Sequence, residues 1–175
     1  MAFPGMNARV PGEVAALQSQ CSWCGVEIPP VAGQGACARC AADLAADSGM
    51  PIQTIIDRFP FPVLVVDEDV TVTVLNRRGR EILGVPPSHG ERRRGGELFG
   101  CVHSLLPGGC GRSIHCSGCA LRRAVAATYQ SRQDQVHVPA TLKTGQAGDP
   151  ANVSLTFTTS LRGNAVLVKI DNLDR

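Results

Sequence analysis

The order of apolar and polar positions beyond residue 50 predicts a domain that begins with a helix and two strands. Isoleucines recur at helical spacing in 51–58 and predict a short amphipathic helix. The run 63–66 is continuously apolar, as in a buried strand, whereas 70–74 alternates valine with threonine, as in a strand with one exposed face. Three acidic residues between the two runs supply the turn that joins them.

The middle of this domain carries two helical signals separated by a loop. Asn76 is a preferred N-cap residue, and the helix that it starts is expected to end at Gly84. Residues 85–100 are rich in glycine, proline and charge and are expected to form a loop. A longer helix is predicted at about 119–132, because apolar side chains recur there on one face.

Three further strands complete the pattern, at 135–142, 151–160 and 165–170. The last two are joined by 161–164, Leu-Arg-Gly-Asn, which has the composition of a hairpin turn. Strands that follow one another through short turns pair antiparallel. The fold class predicted from this order is therefore α+β, with an antiparallel sheet.

The first fifty residues differ from the rest of the chain. We expect a flexible start over 1–20 and a small cysteine-bearing module over 21–45, in which 41–47 has helix-favouring composition. The sequence Ser-Gly-Met-Pro at 48–51 then breaks any regular structure. It predicts a boundary between the module and a domain that occupies 51–175.

The eight cysteines fall into two groups of four, separated by sixty residues without a cysteine. The first group consists of Cys21, Cys24, Cys37 and Cys40, and the second of Cys101, Cys110, Cys116 and Cys119. Thiols two residues apart can point at one centre, and four thiolates satisfy a tetrahedral metal ion or an iron–sulfur cluster. The spacing therefore predicts two metal-type sites, one in the module and one in an insertion at 101–119.

Composition and charge narrow the range of partners. The 175 residues are 43% hydrophobic and 18% charged, which suits one packed domain with a small extra module. A net charge of +2 and an aromatic content of 4% do not favour a nucleic-acid partner. Neither a membrane span nor a signal peptide is expected. We therefore predict a cytoplasmic protein with reduced thiols, in which grouped cysteines act as ligands or redox thiols.

The first group resembles a pair of zinc-ribbon knuckles. The sequence CSWCG at 21–25 places a glycine after the second thiol, where a tight turn can aim backbone N–H groups at sulfur. Zinc bound by four thiolates would fold this segment, which has almost no core of its own. An iron–sulfur cluster and free or redox-active thiols remain as alternatives.

The segment 63–84, VLVVDEDVTVTVLNRRGREILG, resembles the opening of a PAS domain. The resemblance rests on an apolar strand followed by Asp67, an alternating strand followed by Asn76, and a short helix that closes at Gly84. It covers 51–175 and implies a five-stranded antiparallel sheet with helices on one face. The insertion is similar to a cysteine-rich insertion found in some bacterial PAS sensor proteins.

The second group is less typical of zinc. Its last three cysteines, at 110, 116 and 119, resemble an adrenodoxin-type [2Fe–2S] loop, with Cys101 as a fourth ligand that precedes the loop. Neighbouring glycines allow close backbone approach, and the helix that starts near Cys119 would favour an anionic cluster. A [4Fe–4S] cluster, zinc, redox thiols and plain buried thiols remain open. His103 and His115 flank the loop as further ligands, as donors to sulfur or as surface residues.

The PAS resemblance implies a stand-alone sensory protein that reads redox state, oxygen or metal status at the second group and acts by contact with another protein. PAS domains often pair through flanking helices, here 41–47 or 51–58, so a homodimer is compatible with the resemblance. No catalytic constellation, kinase domain or membrane partner is expected. A non-catalytic adaptor with two structural zinc sites, and a small electron carrier or thiol redox protein, are the alternatives. Arg92, Arg93 and Arg94 fit either an acidic partner or a solvated loop.

Overall fold

The structure is a computed structural model that describes residues 20–21, 23–24, 26–28, 37–45, 51–86, 92–146 and 149–174. Over these residues the helices are α1 (Ala38–Ala45), α2 (Ile52–Ile56), α3 (Arg77–Leu83), α4 (Gly95–Leu98) and α5 (Ala120–Ser131), with 3₁₀ helices at Val102–Leu105 and Ile114–Gly118. The strands are β1 (Val63–Val66), β2 (Thr71–Leu75), β3 (Arg93–Arg94), β4 (Gln135–Gln146), β5 (Asp149–Arg162) and β6 (Ala165–Asp174). The flexible start predicted over 1–20 lies outside the described residues, except for Gln20.

The strands form one antiparallel sheet in the order β3-β2-β1-β6-β5-β4. The predicted α+β class with an antiparallel sheet is confirmed, but the sheet has six strands and not five. The additional strand is β3, whose two arginines pair with Thr71 and Val72 at the edge of the sheet. It lies in the segment expected to be a loop, because two charged residues carry no apolar alternation.

The two faces of the sheet pack against different parts of the chain. In β1, Leu64 and Val66 join the main core with α5, and Val63 and Val65 point to the opposite face. This division follows from the alternation of side chains along a strand. Helices α3, α4 and α5 therefore cover one face, and the opposite face is buried by the cysteine-bearing module and α2, whose Ile56 packs there with Leu167 of β6. The helices are thus not confined to the one face that the resemblance implies, because α2 lies on the side of the module.

Asn76 ties the beginning of the domain together through its buried side chain. Its Oδ1 accepts hydrogen bonds from the backbone N–H groups of Val63 (2.9 Å) and Gly79 (2.7 Å). Its Nδ2 donates to the carbonyl groups of Ile56 (3.1 Å) and Phe61 (2.8 Å). Asn76 is thus the predicted N-cap of α3 and also the link between α2, β1 and α3.

The closing strands are longer than predicted. The β4–β5 pairing runs to the Gln146–Asp149 pair, and β6 continues to Asp174. Backbone hydrogen bonds along a hairpin continue through polar residues that lack an apolar alternation. The long helix predicted at about 119–132 is confirmed as α5, which ends in a left-handed C-cap at Arg132 with φ of 57°.

Candidate metal and cofactor sites

The four thiols of the first group converge on one point. The sulfur atoms of Cys21, Cys24, Cys37 and Cys40 all lie within 4.8 Å of one another. The Sγ atoms of Cys24 and Cys37 are 3.6 Å apart. Zinc–thiolate bonds of about 2.3 Å in a tetrahedron require sulfur–sulfur distances of about 3.8 Å. The first group therefore has the donor set and the spacing for one tetrahedral metal ion.

Backbone N–H groups stabilise negative charge on these sulfurs. The Cys37 N–H donates to Cys21 Sγ at 3.1 Å, and the Cys40 N–H donates to Cys37 Sγ at 3.4 Å. Burial opposes ionisation of Cys21, but hydrogen bonds from the backbone of Cys37, Cys24 and Trp23 outweigh it and lower the pKa to about 6. Burial raises the pKa of the Cys40 thiol, and the neighbouring thiols raise it further. A cation at the centre would relieve this crowding of like charges.

Trp23, between the two thiols of the first knuckle, anchors the module to the sheet. Its side chain is fully buried, and its ring lies 5.6 Å from the Phe59 ring and 6.1 Å from the Phe61 ring. The module therefore shares a core with β1 and β6, which the sequence did not indicate. The only relevant signal was the presence of the single tryptophan of the chain between two cysteines.

The four cysteines of the second group line one cavity of about 310 Å³. Its walls come from α4, the two 3₁₀ helices, the beginning of α5 and residues 139–143 of β4. Cys119 is the N-cap residue of α5, and Cys101 forms an isolated β-bridge with Thr144 of β4. Segments far apart in the sequence thus bring the thiols of Cys101, Cys110, Cys116 and Cys119 to a common space.

Two glycines allow the backbone to lie close to these thiols. A Cβ atom on Gly96 would lie 2.7 Å from Cys110 Sγ and 3.5 Å from Cys101 Cβ. Gly111 has φ of 88°, and its N–H donates to Cys116 Sγ at 3.2 Å. A side chain at Gly96 is excluded by sulfur, and the conformation of Gly111 is one that other residues rarely adopt.

The second group is more open than the first. Among the described residues, only the first group brings three or more ligand atoms of histidine, cysteine or carboxylate residues within 4.8 Å of one another. Burial raises the pKa of the Cys110 thiol, and a hydrogen bond with the Gly96 backbone opposes this rise. The charges of Cys116, Cys119 and Cys101 raise the pKa further, so the four thiols interact electrostatically. The four thiols of the second group thus line a common space without converging on one point as those of the first group do.

His103 and His115 stack at the edge of the cavity, with ring centroids 4.2 Å apart. Burial lowers the pKa of His103, and the charges of His115 and Lys143 lower it further. The sequence placed both residues beside the cysteine loop but did not indicate that they contact each other. The neutral His103 imidazole is available as a ligand or a hydrogen-bond partner.

Two arginines that the sequence did not single out for this site border the cysteine loop. Arg94 Nη1 donates to the Cys110 carbonyl oxygen at 2.9 Å. Arg122 Nη2 lies 3.6 Å from Asp69 Oδ1, and Arg122 also lines the cavity. Both guanidinium groups would lie close to a side chain placed at Gly111. Arg94 adds positive charge beside the four thiols, which favours an anionic centre, whereas the charge of Arg122 is offset by Asp69 in the same cavity.

The order of the strands in the sheet identifies the fold of the domain. Five strands in the order β2-β1-β6-β5-β4, with α3, α4 and α5 inserted between β2 and β4, form the sheet that the resemblance of 63–84 implies. The chain has a PAS-like fold. The PAS-like domain carries β3 as an additional edge strand and the cysteine-lined cavity between its helices and β4.

Comparison with known proteins gives similarity only at the level of solved structures. No protein-family model and no curated protein matches the chain. One similar structure is the photoactive yellow protein domain of the sensor histidine kinase Ppr from Rhodospirillum centenum, which is 14% identical in sequence. The match covers 74% of this chain and 99% of that chain, with a TM-score of 0.42. The PAS domain of an HTR-like protein from Haloarcula marismortui has 14% identity, coverage of 70% and 88%, and a TM-score of 0.41. The PAS domain of BvgS from Bordetella pertussis has 13% identity, coverage of 71% and 83%, and a TM-score of 0.37.

Among the described helices, none is both long enough and apolar enough to span a bilayer.

Proposed function

We propose that this PAS-like domain is a sensory protein that reads redox state, oxygen or metal status in the cavity of the second cysteine group. Its output is contact with a partner protein. The observation that carries the proposal is the placement of four cysteines from separate segments around one cavity of about 310 Å³. Cysteine thiolates are the protein ligands that hold iron–sulfur clusters, and nearby positive charge favours the thiolate form.

An iron–sulfur cluster is the cofactor that best suits the second group, with Cys101, Cys110, Cys116 and Cys119 as its ligands. A cluster contains several irons and therefore needs thiolates farther apart than a single zinc ion does. The N–H of Gly111, the N-terminus of α5 and the guanidinium of Arg94 supply positive potential for an anionic cluster. A bound cluster would supply one-electron chemistry and sensitivity to oxygen.

Structural zinc is the proposed metal of the first group, Cys21, Cys24, Cys37 and Cys40. The short sulfur–sulfur distance and the N–H bonds to sulfur support a closed four-thiolate site. This metal would hold the module against the sheet through Trp23. The two groups would therefore have different tasks, one structural and one sensory.

The signal would reach the protein surface through the insertion. Cys101 is joined by backbone pairing to the β4 strand, and Cys119 begins α5. Oxidation or loss of the cofactor would remove the centre that holds these segments together around the cavity. The insertion would then shift between a clamped and a released arrangement.

The proposal places the protein in the cytoplasm, where thiols stay reduced, and assigns it no reaction of its own. A protein partner is required, and a homodimer is compatible with the exposed surface of α2, where Ile52 is exposed. The alternative is an adaptor in which both groups hold structural zinc. The cluster is preferred for the second group because its thiols, unlike those of the first group, do not converge within the 4.8 Å that the first group shows.

The test is metal and sulfide content per chain after oxygen-free preparation, with visible absorption. We expect iron, sulfide and zinc in the wild-type protein. Cys116→Ser should lose iron, sulfide and colour and keep zinc, whereas the matched variant Cys24→Ser should lose zinc and keep colour. A colourless wild-type protein with two zinc ions would support the adaptor and contradict the sensor.

A further inference from the structure

The cysteine insertion exposes three large apolar side chains. Ile114 is 85% exposed, Leu105 is 68% exposed and Leu106 is 42% exposed. Single exposed aliphatic residues are common on protein surfaces, but a group of them marks a binding surface. These three lie on two adjoining turns of residues 102–115, which we call the insertion cap.

The insertion cap is held together by its own contacts. The stacked rings of His103 and His115 join its two turns. The N–H of Gly109 donates to the Leu106 carbonyl oxygen at 2.9 Å, and the N–H of Arg112 donates to the Gly109 carbonyl oxygen at 3.4 Å. The two turns that carry the exposed apolar side chains are therefore joined to each other.

Three cationic side chains lie in the insertion cap or beside it. No acidic residue occurs between Glu97 and Asp134, whereas Arg112 in the cap and Arg123 in α5 are exposed. Lys143 of β4 is exposed and lines the same cavity as His103 and His115 of the cap. The surface combines an apolar centre with a cationic border.

We propose that the insertion cap is the docking surface for an acidic, amphipathic segment of a partner protein. The inference rests on the proposed function, because that function requires a partner contact whose strength depends on the cavity. Aliphatic side chains of the partner would cover Leu105 and Ile114, and its carboxylates would face Arg112 and Arg123. This pattern is that of an amphipathic segment lying on an apolar surface, with charge complementarity setting its orientation.

The apolar centre favours a protein partner over a nucleic acid. Nucleic acid would attract the same arginines through its phosphates, but it would leave Leu105 and Ile114 facing water or polar backbone. Stacking with bases requires aromatic side chains, and the most exposed residues of the cap are aliphatic. A protein segment satisfies both the apolar and the cationic parts of the surface.

The insertion cap also forms one wall of the cysteine cavity. His103, His115 and Cys116 line the cavity while their neighbours in the sequence carry the exposed side chains. A change of state at Cys116 would therefore alter the relative position of the two turns. Partner binding would follow the state of the cofactor for this reason.

The experiment is selection of peptides from a displayed random library on the full chain prepared without oxygen. We expect the selected peptides to carry Asp and Glu beside Leu, Ile or Phe. Binding of one such synthetic peptide, followed by fluorescence anisotropy, should weaken about tenfold in Ile114→Ser and in Leu105→Ser, as for truncation of a central interface residue. Arg112→Glu should also weaken binding, whereas Val136→Ser, at an exposed apolar position on β4, should not change it.

Three results would overturn or separate the inferences. Selected peptides without acidic residues, or with binding unchanged in Ile114→Ser and Arg112→Glu, would overturn the docking surface. The protein could instead bind a single DNA strand of 20 nucleotides, with binding abolished in Arg112→Glu and intact in Ile114→Ser. That result would overturn the docking surface in favour of a nucleic-acid partner. Equal peptide binding by wild-type protein and Cys116→Ser would support the docking surface and contradict only its coupling to the cavity. Unchanged thermal unfolding in each surface variant is the control for folding.

Discussion

Gly96 lies so close to Cys110 that a methyl group at position 96 would be 2.7 Å from the cysteine sulfur. Gly96→Ala should therefore displace Cys110 from the cavity and lower the amount of cofactor bound by the second group, because sulfur and carbon cannot approach to this distance. Metal and sulfide content and visible absorption measure the effect. Gly118→Ala is the matched control, since a Cβ atom there would meet nothing within 4 Å. Equal cofactor content in the two variants would contradict the prediction.

Removal of the metal from the first group should change the fluorescence of Trp23, the single tryptophan of the chain. The indole is fully buried against Phe59 and Phe61, so release of the module would expose it to water and shift its emission to longer wavelength. A chelator titration followed by emission spectra measures this. Cys24→Ser should show the shifted spectrum without chelator, and Cys116→Ser should not. Loss of zinc without a shift would mean that apolar packing alone holds the module.

Asn76→Ala should be one of the most destabilising single substitutions in the domain. It leaves the N–H groups of Val63 and Gly79 and the carbonyl of Phe61 without their side-chain partner, whereas the Ile56 carbonyl still accepts from the Phe59 N–H. A cost of about 1 kcal/mol for each of these three groups gives a loss of about 3 kcal/mol in the free energy of unfolding. Chemical denaturation measures it. Asn172→Ala, at an exposed asparagine, should change stability by less than about 0.5 kcal/mol.

Arg132→Gly should stabilise the protein by about 0.5–1 kcal/mol. Arg132 is exposed and ends α5 in the left-handed conformation, with φ of 57°, which costs energy for any residue that has a Cβ atom. The same substitution inside the helix, Arg123→Gly, should destabilise by about 1 kcal/mol, because glycine is a poor helix former. Thermal unfolding of both variants measures the two changes in stability, which should have opposite signs. If both substitutions destabilise the protein, the Arg132 side chain contributes more to the free energy of unfolding than its left-handed backbone conformation costs.

The first elements of the domain could be predicted from the conformational preferences of single residues. Asn76 and Gly84 are a preferred N-cap and a preferred helix stop, and the structure uses both in these roles, with φ of 65° at Gly84. The convergence of the first four cysteines was also predictable, because thiols two residues apart have few ways to arrange themselves. In both cases the information lies within a few residues of the site.

Features that depend on distant pairing were not predictable from the same patterns. Strand β3 consists of Arg93 and Arg94 alone, and only its pairing with β2 makes it a strand. The packing of Trp23 on Phe59 depends on residues about thirty-five positions away. In the second group the spacing of the cysteines in the sequence indicated four thiols around one centre. It could not give the distances between these thiols, because the walls of the cavity include the distant strand β4.

The bridge between Cys101 and Thr144 also bears on how the sheet avoids unwanted association. The two outer strands of the sheet are β3 and β4, and an outer strand offers free N–H and carbonyl groups to other chains. Strand β3 is too short to act as a template, whereas β4 has twelve residues and is partly covered by the insertion through Cys101. Detachment of the insertion from β4 would therefore expose the edge of a long strand. The same event that reports a signal would create a risk of aggregation, which limits how far the insertion can open.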